Sequence, residues 1–241
     1  MKNVIDIQHL KKSFGKNEVL KDIKLTLAKG ENLVVMGKSG SGKSVLIKCL
    51  VGLIEADDGI INILDKNISE LPDNELNELR KKIGFLFQSA ALYDSMSIRE
   101  NLEFPLRGLC NLTRQEIDAK VLEALKNVGL LEVIDKAPSE LSGGMKKRAG
   151  LARTLILNPE IMFYDEPTTG LDPITSKEIS NLILEMQKKF NTSSIIITHD
   201  IQCAKITSNR IIIIHEGLFV AEGTFKELEQ SEDKWVRSFF K

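Results

Sequence analysis

Aromatic side chains make up only 5% of the 241 residues, and the formal net charge is −1. The chain therefore lacks both the stacking platforms and the positive field with which proteins hold nucleic acids. Cysteine is scarce too. Cys49, Cys110 and Cys203 are far apart, odd in number and outside any CxxC pair, which argues against a disulfide framework or a zinc site and fits a reducing cytosol. No run approaches the ~20 apolar residues that a membrane span needs. The stretch "MKNVIDIQHLKKSF" is broken by charge at Lys2 and Asp6, unlike a signal peptide. Any link to a membrane is expected to come through a partner. Internal repeats, low-complexity tracts and linkers are also lacking.

What is present is ordinary globular material, 42% hydrophobic and 28% charged, enough for one large domain with a sizeable core. Short apolar runs at 32–36, 83–87, 160–164, 194–198 and 210–214 alternate with longer helical patterns. That alternation predicts an α/β fold with a sheet covered on both faces. Alternation at 4–10 and 59–64 predicts a small antiparallel sheet. Residues of about 89–157 show helical patterns without an intervening strand run, and read as a helical insertion. Within it, Thr113 and Glu116 form a capping box. Residues 172–190 read as a helix capped by Asp172 with Pro173 in its first turn.

The stretch "GKSGSGKS", residues 37–44, places Gly37, Lys38, Ser39, Gly40, Ser41, Gly42, Lys43 and Ser44 between an expected strand and an expected helix. It satisfies GxxxxGK[ST] in the context that gives this pattern meaning. Glycines let successive backbone N–H groups face an anion, and a helix N-terminus adds its dipole. Lys43 is expected to reach the terminal phosphates of a nucleotide and Ser44 to ligate Mg2+. In "EIMFYDEP", Asp165 at a strand end is expected to hold the metal through its water shell, while Glu166 faces the attacking water. An acidic pair opening a turn before Pro167 is the plainer reading of those two residues alone.

The stretch "LSGGMKKRAGLARTLILNPEIMFYDEPTTGLDP", residues 141–173, resembles an ABC-type ATPase. "LSGG" matches that family's signature, with Ser142 expected to cap a helix and Gly143 and Gly144 to admit a second anion. Gln88 matches the Q-loop glutamine, His199 in "ITHD" the switch histidine, "TGLD" with Asp172 the D-loop, and Phe14 the aromatic that stacks on adenine. Singly, Gln88, His199 and Phe14 have plainer explanations; their order and spacing together carry the match. The resemblance implies a P-loop NTPase core with an antiparallel β subdomain and a helical signature subdomain, and runs from Phe14 to about 222. Only a carboxy-terminal helix at about 224–240 lies outside it, with Phe225, Leu228, Trp235 and Phe239 expected to pack on the core, a partner surface being the alternative.

The same resemblance implies an ATP-hydrolysing homodimer with two ATP molecules sandwiched head to tail. Lys43 of one copy and Ser142 and Gly144 of the other would share each γ-phosphate. Glu166, His199, Gln88 and Lys43 are the expected catalytic residues, and Ser44, Gln88 and Asp165 the metal set. Met145 stands where most members have glutamine, which removes one amide. The segments "LSGGMKKRAGLAR", "DEPTTGLDPITS" and "FQSAALYDSMSIRENLEFPLR" resemble the ATPases of Mla-type, Mce-associated lipid transporters. That implies a peripheral subunit on the cytoplasmic side of the inner membrane, beneath an integral permease, with an MCE-domain lipid-binding protein beyond it. The segment "SAALYDSM" would lie near the groove that receives the permease. A transport ATPase for another substrate remains open. A DNA-repair or chromosome-organising ATPase would need a long coiled coil where only 97 residues lie between Ser44 and Ser142. A module that binds ATP without hydrolysing it is opposed by Glu166 and His199.

Overall fold

The computed structural model describes residues 2–109 and 112–240, and Cys110 lies outside them. The alternating amino-terminal stretch forms β1 (Asn3–Phe14), which turns through Gly15 at φ +61° into β2 (Asn17–Ala28). With β4 (Asp58–Ile63) and β5 (Lys66–Asn67) these make an antiparallel sheet in the order β2-β1-β4-β5, longer than its expected strands at 4–10 and 59–64. Between them the chain contributes β3 (Asn32–Met36) and α1 (Lys43–Leu50) to the main body.

The apolar runs become parallel neighbours. After α2 (Asp73–Arg80) and β6 (Ile83–Leu86), three helices follow: α3 (Ile98–Leu109), α4 (Arg114–Asn127) and α5 (Gly143–Leu155). Then come β7 (Ile161–Asp165), α6 (Pro173–Phe190), β8 (Ser193–Ile197), α7 (Ile201–Thr207), β9 (Arg210–His215) and β10 (Leu218–Gly223). The second sheet runs β10-β9-β3-β8-β7-β6, all parallel except the edge strand β10. Among the described residues, no strand lies between β6 and β7.

Side-chain period two explains how one sheet serves two cores. Leu33 and Val35 of β3 face α1 and the antiparallel sheet, along with Phe163, Ile195, Ile197 and Ile212. Val34 and Met36 face the helical layer, with Met162, Tyr164, Ile196 and Ile213. A strand buried on both faces has no polar side to display, which is why these runs read as continuous Val/Ile/Leu stretches. Gly84 is required by close packing: a Cβ there would meet Met162 Sδ at 2.3 Å and Thr154 Cγ2 at 2.7 Å.

The caps at Thr113 and Asp172 form as expected. The Thr113 hydroxyl accepts from the Glu116 N–H, and Asp172 Oδ1 accepts from the Ile174 and Thr175 N–H groups at 3.0 and 3.1 Å. The carboxy-terminal expectation needs correction. Residues 224–240 are not one helix but α8 (Phe225–Glu229), α9 (Lys234–Arg237) and a 3-10 turn, Ser238–Phe240. Asp233 Oδ1 accepts from the Trp235 N–H at 2.7 Å, capping a new helix where the first would have continued. Leu228 is buried in the core, and Phe225, Trp235 and Phe239 pack against it. Cys49 and Cys203 are free and buried.

Candidate nucleotide site

Parallel strands end on the same edge of a sheet. Gly37 after β3, Gln88 after β6, Asp165 and Glu166 at the end of β7 and His199 after β8 are therefore carried to one rim by topology alone, where open α/β sheets bind their ligands. They line one cleft of about 550 Å³ together with Lys38, Ser39, Gly40, Gly42, Lys43 and Ser44. Ser41, within the same loop, is buried, and its hydroxyl has no partner among the described residues.

The loop's glycines answer to space. A Cβ on Gly37 would lie 2.5 Å from the Ile214 carbonyl oxygen, and one on Gly42, at φ +106°, would lie 2.9 Å from Val19 O and Leu20 Cδ2. A Cβ on Gly40, at φ +79°, would meet nothing, so there the backbone conformation is what favours glycine. Lys43 heads α1, largely buried, and its ammonium donates to the carbonyls of Gly37 and Lys38 at 2.7 and 3.0 Å. Burial lowers its pKa, against the pull of Glu166 and Asp165.

The acidic pair is held differently at each carboxylate. Asp165 is half-buried, with Oδ1 unpartnered among the described residues, and burial first, then the neighbouring Glu166 charge, push its pKa up; Lys48, Lys43 and the nearby Ser44 hydroxyl oppose the rise. Glu166 sits at φ +50°, outside the usual range for a non-glycine residue, as residues at functional sites often do. Its Oε2 lies 2.8 Å from His199 Nδ1 and accepts from the Thr169 hydroxyl at 3.2 Å. Magnesium commonly takes one or two carboxylates plus substrate phosphates rather than an all-protein cage. The unpartnered Asp165 oxygen beside the Ser44 hydroxyl fits that donor set.

Other expected residues lie elsewhere. Ser142, Gly143 and Gly144 do not line this cleft. Ser142 caps α5, accepting from the Met145 N–H at 3.3 Å, and a Cβ on Gly144 would meet Thr175 Cγ2 at 2.6 Å, so that glycine also permits α5 to pack on α6. Asp172 caps α6 and accepts from the Thr175 hydroxyl at 2.5 Å, away from the cleft. Phe14 is 50% exposed at the end of β1, with the Lys12 ammonium over its ring at 5.4 Å; Val19, not Phe14, lines the cleft.

Two groups with no expected role also emerge. Lys147 is 6% exposed, and its ammonium donates to the Gln88 carbonyl at 2.5 Å and the Glu166 carbonyl at 3.2 Å. It falls three residues after Gly144 and four before Leu151, on the buried face of α5, a helical spacing that marks it as inward-facing. Asn101 is fully buried. Its side chain accepts from the Tyr93 N–H and donates to the carbonyls of Tyr93, Met96 and Ser97 at 3.0–3.2 Å, pinning the segment before α3.

The family model for ABC transporters matches residues 20–169, a span that holds the phosphate loop, Gln88, the signature and the acidic pair. The chain belongs to the ABC transporter family. It is 40% identical over 98% of its length to the probable ribonucleotide transport ATP-binding protein mkl of Mycobacterium bovis, and spans 66% of that relative. It is 37% identical over 99% of its length to the intermembrane phospholipid transport system ATP-binding protein MlaF of Haemophilus influenzae, covering 90% of it. It is similar in structure to the ATP-binding cassette MJ0796, a dimer in a post-hydrolysis state bound to ADP and Pi. There the TM-score is 0.83 and the identity 31%, with 92% of this chain and 98% of that one covered. The ABC cassette is thus an α/β P-loop fold whose structural relatives include one caught after ATP hydrolysis. No helix among the described residues is long and apolar enough to cross a membrane.

Proposed function

We propose that this chain is the ATP-hydrolysing subunit of an ABC transporter, acting as a homodimer beneath a separate integral permease. One observation carries the reading. The phosphate loop, both carboxylates, Gln88 and His199 converge on one cleft, while the signature residues Ser142, Gly143 and Gly144 stand outside it. A second copy, turned head to tail, supplies those residues from its α5 N-terminus, where backbone N–H groups and the helix dipole favour an anion. The dimeric MJ0796 cassette is consistent with this arrangement.

In this reading the loop amides and Lys43 take the β- and γ-phosphates. Glu166 orients the attacking water and receives its proton as the bond to the γ-phosphorus forms and the β–γ bridging bond breaks. His199, held against Glu166, faces the same phosphate. Ser44 and Asp165, with Gln88, would hold a magnesium ion, which supplies charge neutralisation when bound. Once the γ-phosphate is gone the two copies lose their shared ligand and separate.

The permease has a fitting surface. Phe87, Tyr93, Phe104, Pro105, Arg153 and Leu157 line a groove that runs along β6 and past its end, and Phe87 is the residue before Gln88. Tyr93 and Phe104 are 45% and 49% exposed, with ring centroids 5.0 Å apart. Exposed paired aromatics beside the nucleotide cleft suit a permease helix, and a link from groove to cleft through Gln88 suits force transmission.

The cargo we propose is a phospholipid, with an MCE-domain lipid-binding protein as a further partner and the cytoplasmic face of the inner membrane as the location. The similarity to MlaF over nearly the whole of both chains supports it. Another cargo is the second reading, favoured by the similarity to a protein named for ribonucleotide transport. Phosphate release by the purified protein tests the first part: no ATP-dependent release by the chain or its membrane complex would refute it. Mass spectrometry of proteins and lipids co-purified from membranes tests the second. Permease, MCE-domain protein and phospholipid are the expected companions; another solute carrier system would remove the lipid assignment.

A further inference from the structure

We infer that Lys147 is a positioning residue for hydrolysis, fastening the signature helix to the two strand ends that carry Gln88 and Glu166. The inference rests on the catalytic reading of Glu166 given above. The geometry is a three-way tie. Gln88 follows β6 and Glu166 follows β7, neighbours in the sheet, and both carbonyl oxygens accept from the one ammonium on α5. Glu166 holds a left-handed conformation at φ +50°, and its own N–H donates to the Ile197 carbonyl at 2.9 Å. Its carbonyl lies outside the strand ladder and accepts from the Thr169 N–H at 3.3 Å within the turn and from Lys147 at 3.2 Å, the one contact that ties it to α5 among the described residues.

Burial of a lysine is expensive, and this one is compensated by carbonyl dipoles and by the charges of Glu166 and Asp165. No carboxylate pairs with it directly among the described residues. A lysine kept only to fill space would be replaced at lower cost by leucine or methionine. What the ammonium adds is a fixed distance between the helix that presents Ser142 and the carboxylate that faces water. In the sandwiched dimer these belong to opposite nucleotides, since α5 reaches the partner's ATP and Glu166 serves its own. A shift of α5 when the partner's nucleotide binds would pass through Lys147 to Glu166 and Gln88 together.

The test uses Lys147→Met, which keeps the length and loses the donors, and Lys147→Gln, which keeps two N–H donors. In the full chain, Lys147→Met should lower kcat by about tenfold to a hundredfold, since a misplacement of about 1 Å suffices for such a loss. KM for ATP should stay within about twofold, because the loop contacts are untouched. Amide hydrogen exchange should speed up at Ala90 and Thr169, whose N–H groups are bonded within these two turns, and at Glu166, whose N–H is bonded across to Ile197 of β8, while α5 itself stays protected. Lys147→Gln should restore much of both. Unchanged exchange at both turns, an unchanged kcat, or a general loss of protection along α5 that glutamine does not repair would each overturn the inference. Glu166→Gln measured alongside separates the two claims. If it retained turnover, the catalytic role of Glu166 would fall, whereas the exchange pattern of Lys147→Met would still report the tie.

Discussion

His199 Nδ1 lies 2.8 Å from Glu166 Oε2, although the two residues are 33 apart in sequence and follow different strands. Parallel pairing of β7 and β8 brings them together: Asp165 is in register with Ile197, so the residues just beyond each strand meet at the rim. The contact places a titratable base against the carboxylate proposed to face water, and Thr169 holds the same oxygen from the other side of the turn.

Lys43→Ala should abolish tight ATP binding while leaving the fold intact. Among the described residues the ammonium bonds only to loop carbonyls, so its loss should remove the proposed phosphate charge partner more than a structural tie. Calorimetric titration should show at least a tenfold rise in Kd for ATP; unchanged affinity would remove Lys43 from its role.

Asp165→Asn should stabilise the nucleotide-free protein and destroy its response to Mg-ATP. Burial and Glu166 raise the pKa of Asp165 in the folded state. The folded chain therefore keeps this proton in a pH window where the unfolded chain has lost it, and stability falls as pH rises through that window. Asparagine removes that loss, so Tm at neutral pH should rise by a few degrees. In the unsubstituted protein, magnesium affinity should fall on acidification sooner than for an ordinary aspartate, because the proton competes with the metal. Thermal melts with and without Mg-ATP across pH check both.

Asn101→Ala should cost about 1–3 kcal/mol, since the side chain satisfies four backbone groups of the buried turn before α3. Chemical denaturation measures it, and a loss under about 0.5 kcal/mol would show the turn to be held by other contacts.

Phe104→Asp and Tyr93→Asp should leave Tm and ATP binding close to their starting values, because both rings are about half exposed. Recovery of the permease in a pull-down from membranes should fall sharply. Undiminished recovery would place the docking surface elsewhere.

Much of this was legible in the sequence because the strands are buried on both faces. Runs such as "SIIIT" and "RIIII" admit few other readings, and the loop 37–44 announces itself through glycine spacing. The strand β2 is less legible: Ile23, Leu25 and Leu27 alternate with Lys24 and Thr26, a period-two pattern softened by the charged residues before it. The carboxy-terminal break was hidden because the apolar positions look continuous while Asp233 competes locally as a cap. Lys147 could be read only through the helical phase of its neighbours, since a lysine beside Lys146 and Arg148 reads as surface charge. Asn101 carries no pattern at all; its value lies in four backbone groups that the sequence does not place near it.

The most direct measurement is the oligomeric state of Glu166→Gln by light scattering, with and without ATP. If nucleotide is clasped between two copies and released by hydrolysis, the variant should bind ATP, release no phosphate, and run as a stable dimer only when ATP is present. A variant that stays monomeric with bound ATP, or that still turns ATP over, would contradict the account.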